Sequence, residues 1–499
     1  MSLSSAVTVA SQSLGAISNQ ISVVSRNVSG VNTPGYSVKN AQLSTTDNGS
    51  AQIDGVTRAT NSSLLKGLLQ ATSAQEVSSA VSNGLSQLDQ FFNISASSAT
   101  DLSQTRAPAT LISNLKSALQ DYSAAPTSAT AAEAAISAAK TLTQTLNDAT
   151  TTVQSIRQHA DAQIGTSVNS INTILTQFQA VNSEIVAKTP TSQDITDLLD
   201  QRDTLITNLS KEIGISTITR PNNDVVIYAD NGATLFETTP RSVSFKASPS
   251  LGAGLAGNAV YIDGVQVTGS SNPALNLQSG ALVGLTQLRD SIAPQFQSQL
   301  DETARGLITS FAEKDQTGSG SPDAPGLFTY SGATGVPSAA IIPGLAGQIA
   351  VNANVDPTQG GLVTRLRDGG IADPTNAAYV YNTAGAPGYS DRITQLIGNL
   401  STTQTFDAAA GIGTQESVSS YATASIGWLE LQRQQSDKDT SYQQALLTQT
   451  TQALSNATGV NLDDQMSKML ALENSYQASA KLLAAVNQLF SDLFAATHV

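Results

Sequence analysis

The clearest pattern in the chain is at its beginning. Leu3, Val7, Ala10, Leu14, Ile17, Ile21, Val24, Val28 and Val31 follow alternating steps of four and three, with small polar residues at most other positions. That spacing predicts an amphipathic helix with a narrow coiled-coil seam, which needs a partner helix to leave water. The far end of the chain supplies a candidate. From Leu462 onward a second stripe runs through Met469, Leu472, Tyr476, Leu483, Val486, Phe490 and Leu493, interrupted at heptad positions by Gln465 and Ser479. Met466, Leu470, Leu482 and Leu489 widen it beyond a two-helix seam. Asn461 is placed to cap this helix, and Asp463 and Asp464 suit the positive end of its dipole. The two ends are expected to pair within the chain and to offer apolar surface to other molecules.

Between the ends, helical spacing dominates first. Leu64 to Leu88 and Leu111 to Tyr122 each mark a helix, and Thr130 with Glu133 forms a capping-box pattern that opens a very long one. Its apolar track runs from Leu142 through Val153, Ile164 and Leu175 to Ile185, and it ends before Pro190. At 1.5 Å per residue such a helix is on the order of 80 Å long. A further helix carries Ile195, Leu198, Leu199, Leu205, Ile206 and Leu209, with Gly214 as its stop. The period then changes to two. "DVVIYADNGATLF" and "AVYIDGVQVTG" pair strands across Asp230-Asn231-Gly232 and Asp263-Gly264, so residues 216–279 read as a small β domain. Helix returns from Leu282 to Phe311 with Pro294 as a kink. Residues 315–403 are rich in Gly, Pro, Ser and Thr and predict loops and short strands. Helix resumes near Val418 and runs to about Leu454, where "SNATG" breaks it.

Composition narrows the function classes. At 499 residues, roughly three domains' worth of chain is available. Charged residues are only 12% of it, so the surface is polar but weakly charged, as suits closely stacked copies of a subunit or a secreted bacterial protein. A net charge of -14 without clustered Lys or Arg argues against nucleic acid. With no cysteine there is neither disulfide nor thiolate chemistry. The first basic residue is Arg26, no apolar signal segment follows the N-terminus, and no run is long enough for membrane insertion. The chain reads as cytosolic, or as exported by a route that removes no signal peptide.

Candidate chemistry is sparse. His159 and His498 are the two histidines; both read as solvated, and with no cysteine they offer no zinc site. Asp197, Asp200 and Asp203 recur every third residue, which drifts around a helix; they read as a solvated face paired locally with Arg202. "GSGSPDAPG", Gly318 to Gly326, lacks the lysine and following helix of a phosphate loop. No catalytic, cofactor-binding or metal-binding residue is expected. The turn Asn32-Thr33-Pro34-Gly35-Tyr36 does have a mechanism: Pro34 disfavours helix at Thr33 and sets the first central position of a tight turn, and Gly35 allows the positive φ of a type II turn. Tyr36 can cover the helix end while its hydroxyl stays wet.

Four stretches carry a resemblance to known proteins. "ISVVSRNVSGVNTPGYS", Ile21 to Ser37, resembles the N-terminal signature of bacterial flagellar axial proteins, matching it at Asn27, Asn32, Thr33, Pro34, Gly35 and Tyr36 and departing from it at Ser29-Gly30. The segment Gly459 to Leu493 resembles the C-terminal region of the hook-associated protein 1 family, the first hook–filament junction proteins. "LLDQRDTLITNLS", Leu198 to Ser210, resembles an internal helix of that family, as does "GALVGLTQLRD", Gly280 to Asp290. The resemblance implies a non-enzymatic structural subunit joining hook to filament, secreted unfolded through flagellar type III export. Its implied partners are further copies of itself, the hook protein, the filament-side junction protein and a cytosolic chaperone at the C-terminal helix. Other readings left open are a hook or rod subunit with a helical insertion, and an exported glycan hydrolase or adhesin with axial-type termini.

The expected fold is mainly α with a β-rich insertion, nested and multidomain. Residues 1–40 and 460–499 would form the paired coiled-coil core; 41–215, 280–314 and 404–459 a helical bundle; 216–279 the β domain; and 315–403 loops and short strands on the outer domains. The turn would end the first helix and send the chain outward.

Overall fold

The computed structural model describes residues 3–47, 49–92, 106–191 and 193–497. Helix α1 (Leu3–Gly30) leads into a hairpin of β1 (Lys39–Thr45) and β2 (Ala51–Arg58), then α2 (Ser62–Phe92), α3 (Pro108–Ala124) and α4 (Ala129–Lys188). Helix α4 has 60 residues, so it extends for about 90 Å. It is capped by Ser128, whose hydroxyl accepts the Ala131 amide. The expected capping box at Thr130 and Glu133 lies inside the helix, two residues past its cap.

Helix α5 (Thr196–Glu212) ends at Ile213 in extended backbone, and Gly214 is not its left-handed cap. That glycine is required for a different reason: a Cβ there would collide with Ser279 and Asp230. Strands β3 (Ile215–Thr219), β4 (Val225–Ala229) and β5 (Thr234–Phe236) form one antiparallel sheet, and β6 (Val243–Phe245), β7 (Val260–Ile262) and β8 (Val265–Gln266) another. Both expected tight turns are present, with positive φ at Gly232 in one and at Asp263 and Gly264 in the other.

Helix α6 (Ala281–Gln287) passes through one π-helical turn, Leu288–Ile292, into α7 (Ala293–Ser310). Pro294 was expected to kink this stretch. It sits in the first turn of α7, where its missing N–H is tolerated, and the Ala293 amide reaches five residues back to the Leu288 carbonyl. Residues 315–403 contain β9 (Phe328–Tyr330) paired with β10 (Ile349–Val351), a short α8 (Arg365–Asp368) and α9 (Asp391–Asn399). The last is a helix where loops and strands were expected; Ile393 and Leu396 bury one face of it. After β11 (Gln404–Thr405) and β12 (Gln415–Glu416), α10 (Val418–Thr458) and α11 (Leu462–Thr497) complete the chain.

A continuous core runs along α4, from Ala132 through Leu146, Val153 and Ile164 to Phe178, with α2, α3, α5, α6 and α7 packed around it. Asparagines on α4 fasten the outer elements. Asn172 exchanges hydrogen bonds with the backbone of Val243 in β6, Asn147 donates to the carbonyls of Ala346 and Ile349, and Asn182 accepts the Val225 amide of β4. Each gives a short strand or loop the partner a neighbouring strand would have supplied.

Candidate functional site

The two terminal helices pair antiparallel, the C-terminal end of α1 meeting the N-terminal end of α11. On α1, Val24 is buried and Val7, Leu14, Ile17, Ile21 and Val28 are half-buried. The side chain of Leu3 lies outside the described residues. On α11, Met469, Leu472, Leu483, Val486 and Phe490 are half-buried, whereas Tyr476 and Leu493 are exposed. Met466, Leu470, Leu482 and Leu489 are all more than half exposed, at 51% to 62%. One partner helix thus leaves the wider part of the α11 stripe in water.

Gln465, which breaks the stripe in the sequence, turns out to organise it. It is 2% exposed and accepts a 2.9 Å hydrogen bond from the Asn27 amide. Asn27 is itself buried. Its amide also donates to the Lys39 carbonyl, and its oxygen accepts from the Lys39 amide and the Tyr36 hydroxyl. A polar pair inside an apolar seam costs stability but makes every other register worse, since sliding would bury both groups unpaired.

The turn follows directly. The Tyr36 amide donates to the Thr33 carbonyl at 3.1 Å and Gly35 has φ of 80°, as a type II turn requires. The helix stops at Gly30, two residues before Asn32, and the Tyr36 ring lies against the Gly30 Cα; a Cβ there would stand 2.6 Å from the ring. Asn32, Thr33, Pro34 and Gly35 are exposed and Tyr36 is half-buried. Burial raises the Tyr36 phenol, and the Lys39 ammonium, 4.0 Å from its ring centre, opposes that. The chain does not go straight outward from here. It doubles back as the β1–β2 hairpin along α1, with Ser50 at the tip donating to Gln12, and β2 then returns it to α5. The Val38 amide donates to the Thr458 carbonyl at the end of α10, and the Asn461 side chain accepts the Asp463 amide at the start of α11.

The period-three aspartates complete the site. Arg26 pairs with Asp194 at 2.7 Å and Asp197 at 2.8 Å; Lys39 pairs with Asp197 and, at 3.3 Å, with Asp200; Arg58 pairs with Asp200 at 2.8 Å and Asp203 at 2.7 Å. Three cations from the terminal segment stand between four carboxylates at the head of α5. This corrects the reading of a solvated face paired with Arg202. Arg202 points the other way, to Asn182 and the Asn223 carbonyl, and burial lowers it to about 10. Burial pushes the Asp194 carboxyl up, but hydrogen bonds from Arg26 and Thr196 outweigh it and hold it below the usual carboxylate range. At the enclosed end burial wins: Asp203 is raised despite Arg58. No local sequence signal pairs Lys39 or Arg58 with these acids, since 142 residues separate Arg58 from Asp200.

His159 lines an open groove between α2, α4 and α6 with Glu76, Asn83 and Gln163, and His498 lies outside the described residues. Among the described residues no group of His, Asp and Glu is placed to hold a metal ion, and no helix is long and apolar enough to cross a membrane.

Comparison with known proteins agrees with this architecture. Residues 85–328 match the model of the flagellar hook-associated protein FlgK helical domain, and residues 451–495 that of the flagellar basal body rod FlgEFG protein C-terminal region. The flagellar hook-associated protein 1 of Bacillus subtilis is 22% identical over 376 residues, covering 69% of this chain and 68% of that protein. That of Salmonella typhimurium is 26% identical over 324 residues, covering 62% of this chain but only 56% of the relative. The flagellar hook junction protein FlgK from Burkholderia pseudomallei shares the fold, with a TM-score of 0.54 at 16% identity over 77% of this chain and 99% of that one. The chain is thus similar in sequence to flagellar hook-associated protein 1 and shares the fold of FlgK.

Proposed function

We propose that this chain is a structural subunit that joins the flagellar hook to the filament as a junction layer. The observation that carries it is the terminal coil. Its register is set by Asn27 and Gln465, yet Met466, Leu470, Leu482 and Leu489 remain in water after the two helices have paired. Exposed leucines on a rod fastened to a body at one end suit stacking against neighbouring copies, where that surface is removed from water.

The terminal segments 1–40 and 460–499 would line the tube. The helical parts 41–215, 280–314 and 404–459, the β domain 216–279 and the segment 315–403 would lie outside. Its neighbours would be further copies, the hook protein on one side and the filament-side junction protein on the other, with an export chaperone holding α11 beforehand. The work is mechanical and non-enzymatic, at an extracellular structure reached by type III export. A strain lacking this chain should make hooks without filaments and shed flagellin into the medium; filaments attached normally would refute the reading.

A further inference from the structure

The aspartate ladder is graded along its length. The Lys39 side chain is wholly buried, Arg58 and Asp200 are 11% and 10% exposed, and Asp203 beyond them is 22% exposed. At the other end Arg26 and Asp194 are 34% and 33% exposed, and Asp197 is 69% exposed. Two features make this gradient consequential. The chain crosses between the coil with its hairpin and the body twice, from Ala59 to Asn61, where the Ala59 amide donates to the Val38 carbonyl, and from Gly459 to Asn461, and neither crossing is regular helix. Both lie at one level, joined through Val38, whose amide donates to the Thr458 carbonyl. The head of α5 stands beside this level and is fixed to the body by Arg202 through Asn182 and Asn223.

Two short non-helical links at one level make a hinge, and an ion-pair ladder alongside restrains it. Ionic contacts in water weaken as salt shortens the screening length, while enclosed contacts are screened far less. We propose that the ladder from Asp194 to Asp203 is a clasp that fixes the direction of the terminal coil on the helical body in the free chain. The clasp opens from its Arg26 end, and the more enclosed stretch from Lys39 through Asp200 to Arg58 is the pivot. Its use during assembly rests on the junction reading above; the clasp itself does not, because it belongs to the single chain.

The chain has no cysteine, so two introduced cysteines at Ser18 on α1 and Ala162 on α4, both exposed, carry spin labels without background. Pulsed electron resonance on the full chain should give one narrow distance distribution at low salt that broadens on raising salt. In Asp194→Asn/Asp197→Asn the distribution should be broad at low salt and insensitive to added salt, while thermal unfolding of the body is unchanged. Asn at 194 keeps an acceptor for the Thr196 amide, so α5 retains its start. Arg26→Gln removes both Arg26 contacts from the other side while leaving Lys39 paired with Asp197, and it should also broaden the distribution. A narrow distribution in both variants would overturn the clasp, as would a broad one in the parent chain at low salt.

Discussion

Replacing Gly35 with alanine tests the turn by adding one methyl group. Two costs follow from the structure. Alanine must adopt φ near 80°, which costs an L-residue roughly 1–2 kcal/mol. Its Cβ would also stand 2.5 Å from the Thr204 hydroxyl. Thr204 can rotate away, but that hydroxyl donates to the Asp200 carbonyl, and losing the bond costs about 1 kcal/mol. Together they come to about 2–3 kcal/mol, concentrated on the turn and hairpin rather than on the core along α4. Global unfolding of a chain with several units is a poor readout, so local hydrogen exchange is the better assay. Amides from Tyr36 to Arg58 should exchange roughly 30- to 140-fold faster, at 1.4 kcal/mol per tenfold. Amides in the middle of α4 should be unaffected. Thr204→Ala alone gives up the same hydrogen bond, so Gly35→Ala/Thr204→Ala should exchange no faster than Gly35→Ala. Unchanged exchange in the single variant would refute the turn assignment, and a double variant in which the costs of the two substitutions add would refute the contact with Thr204.

Three further outcomes follow from other parts of the molecule. Gln465→Leu should leave helix content unchanged yet permit more than one register of α1 on α11, because the penalty for sliding is gone; cysteine pairs offset by one turn should then cross-link, and a single surviving register would contradict the role of the Asn27–Gln465 pair. Burial raises Asp301 from 3.8 to about 6, even though Gly344, Ala346 and Gln297 donate to it. Because the folded chain holds that proton more tightly than the unfolded one, this group costs stability as pH rises from about 4 to about 6 and adds no change above. The gap corresponds to about 3 kcal/mol at most. The difference in unfolding midpoint between the parent and Asp301→Asn should therefore shift across that window and be flat above it; a constant difference would refute the assignment. Deleting Met469 to Val499 should abolish assembly and chaperone capture while the α4 core stays folded, which circular dichroism and filament counts check together.

Much of the architecture was legible because it rests on local periods. The seam of α1, the track of α4 and the two glycine turns of the β region are written in spacings of three to four and of two. Where the reading slipped, a distant contact had decided. Gly214 looks like a helix stop because glycine commonly ends helices, but it is glycine because Ser279 and Asp230 crowd its Cα. Gly30 carries no local signal of its own, yet the Tyr36 ring stands where its Cβ would be. Helix α9 was missed because its nine residues are too few to establish a period among surrounding glycines and prolines.

The junction shows the same division at higher stakes. Gln465 reads in sequence as a defect in an apolar stripe; only the antiparallel pairing, which sets it against Asn27, makes it a register mark. Aspartates three apart precess by about 60° per step around a helix, so no single straight partner can follow them, and the spacing looks like solvated surface. A partner assembled from three elements can follow them. Arg26 comes from a helix, and Lys39 and Arg58 from the two strands at the open end of a hairpin, where they stand opposite each other. The drift that argued against function in one dimension is therefore what allows α5 to hold the helix and the hairpin together, and it makes the aspartates, rather than the turn alone, the part of the site that ties the coil to the body.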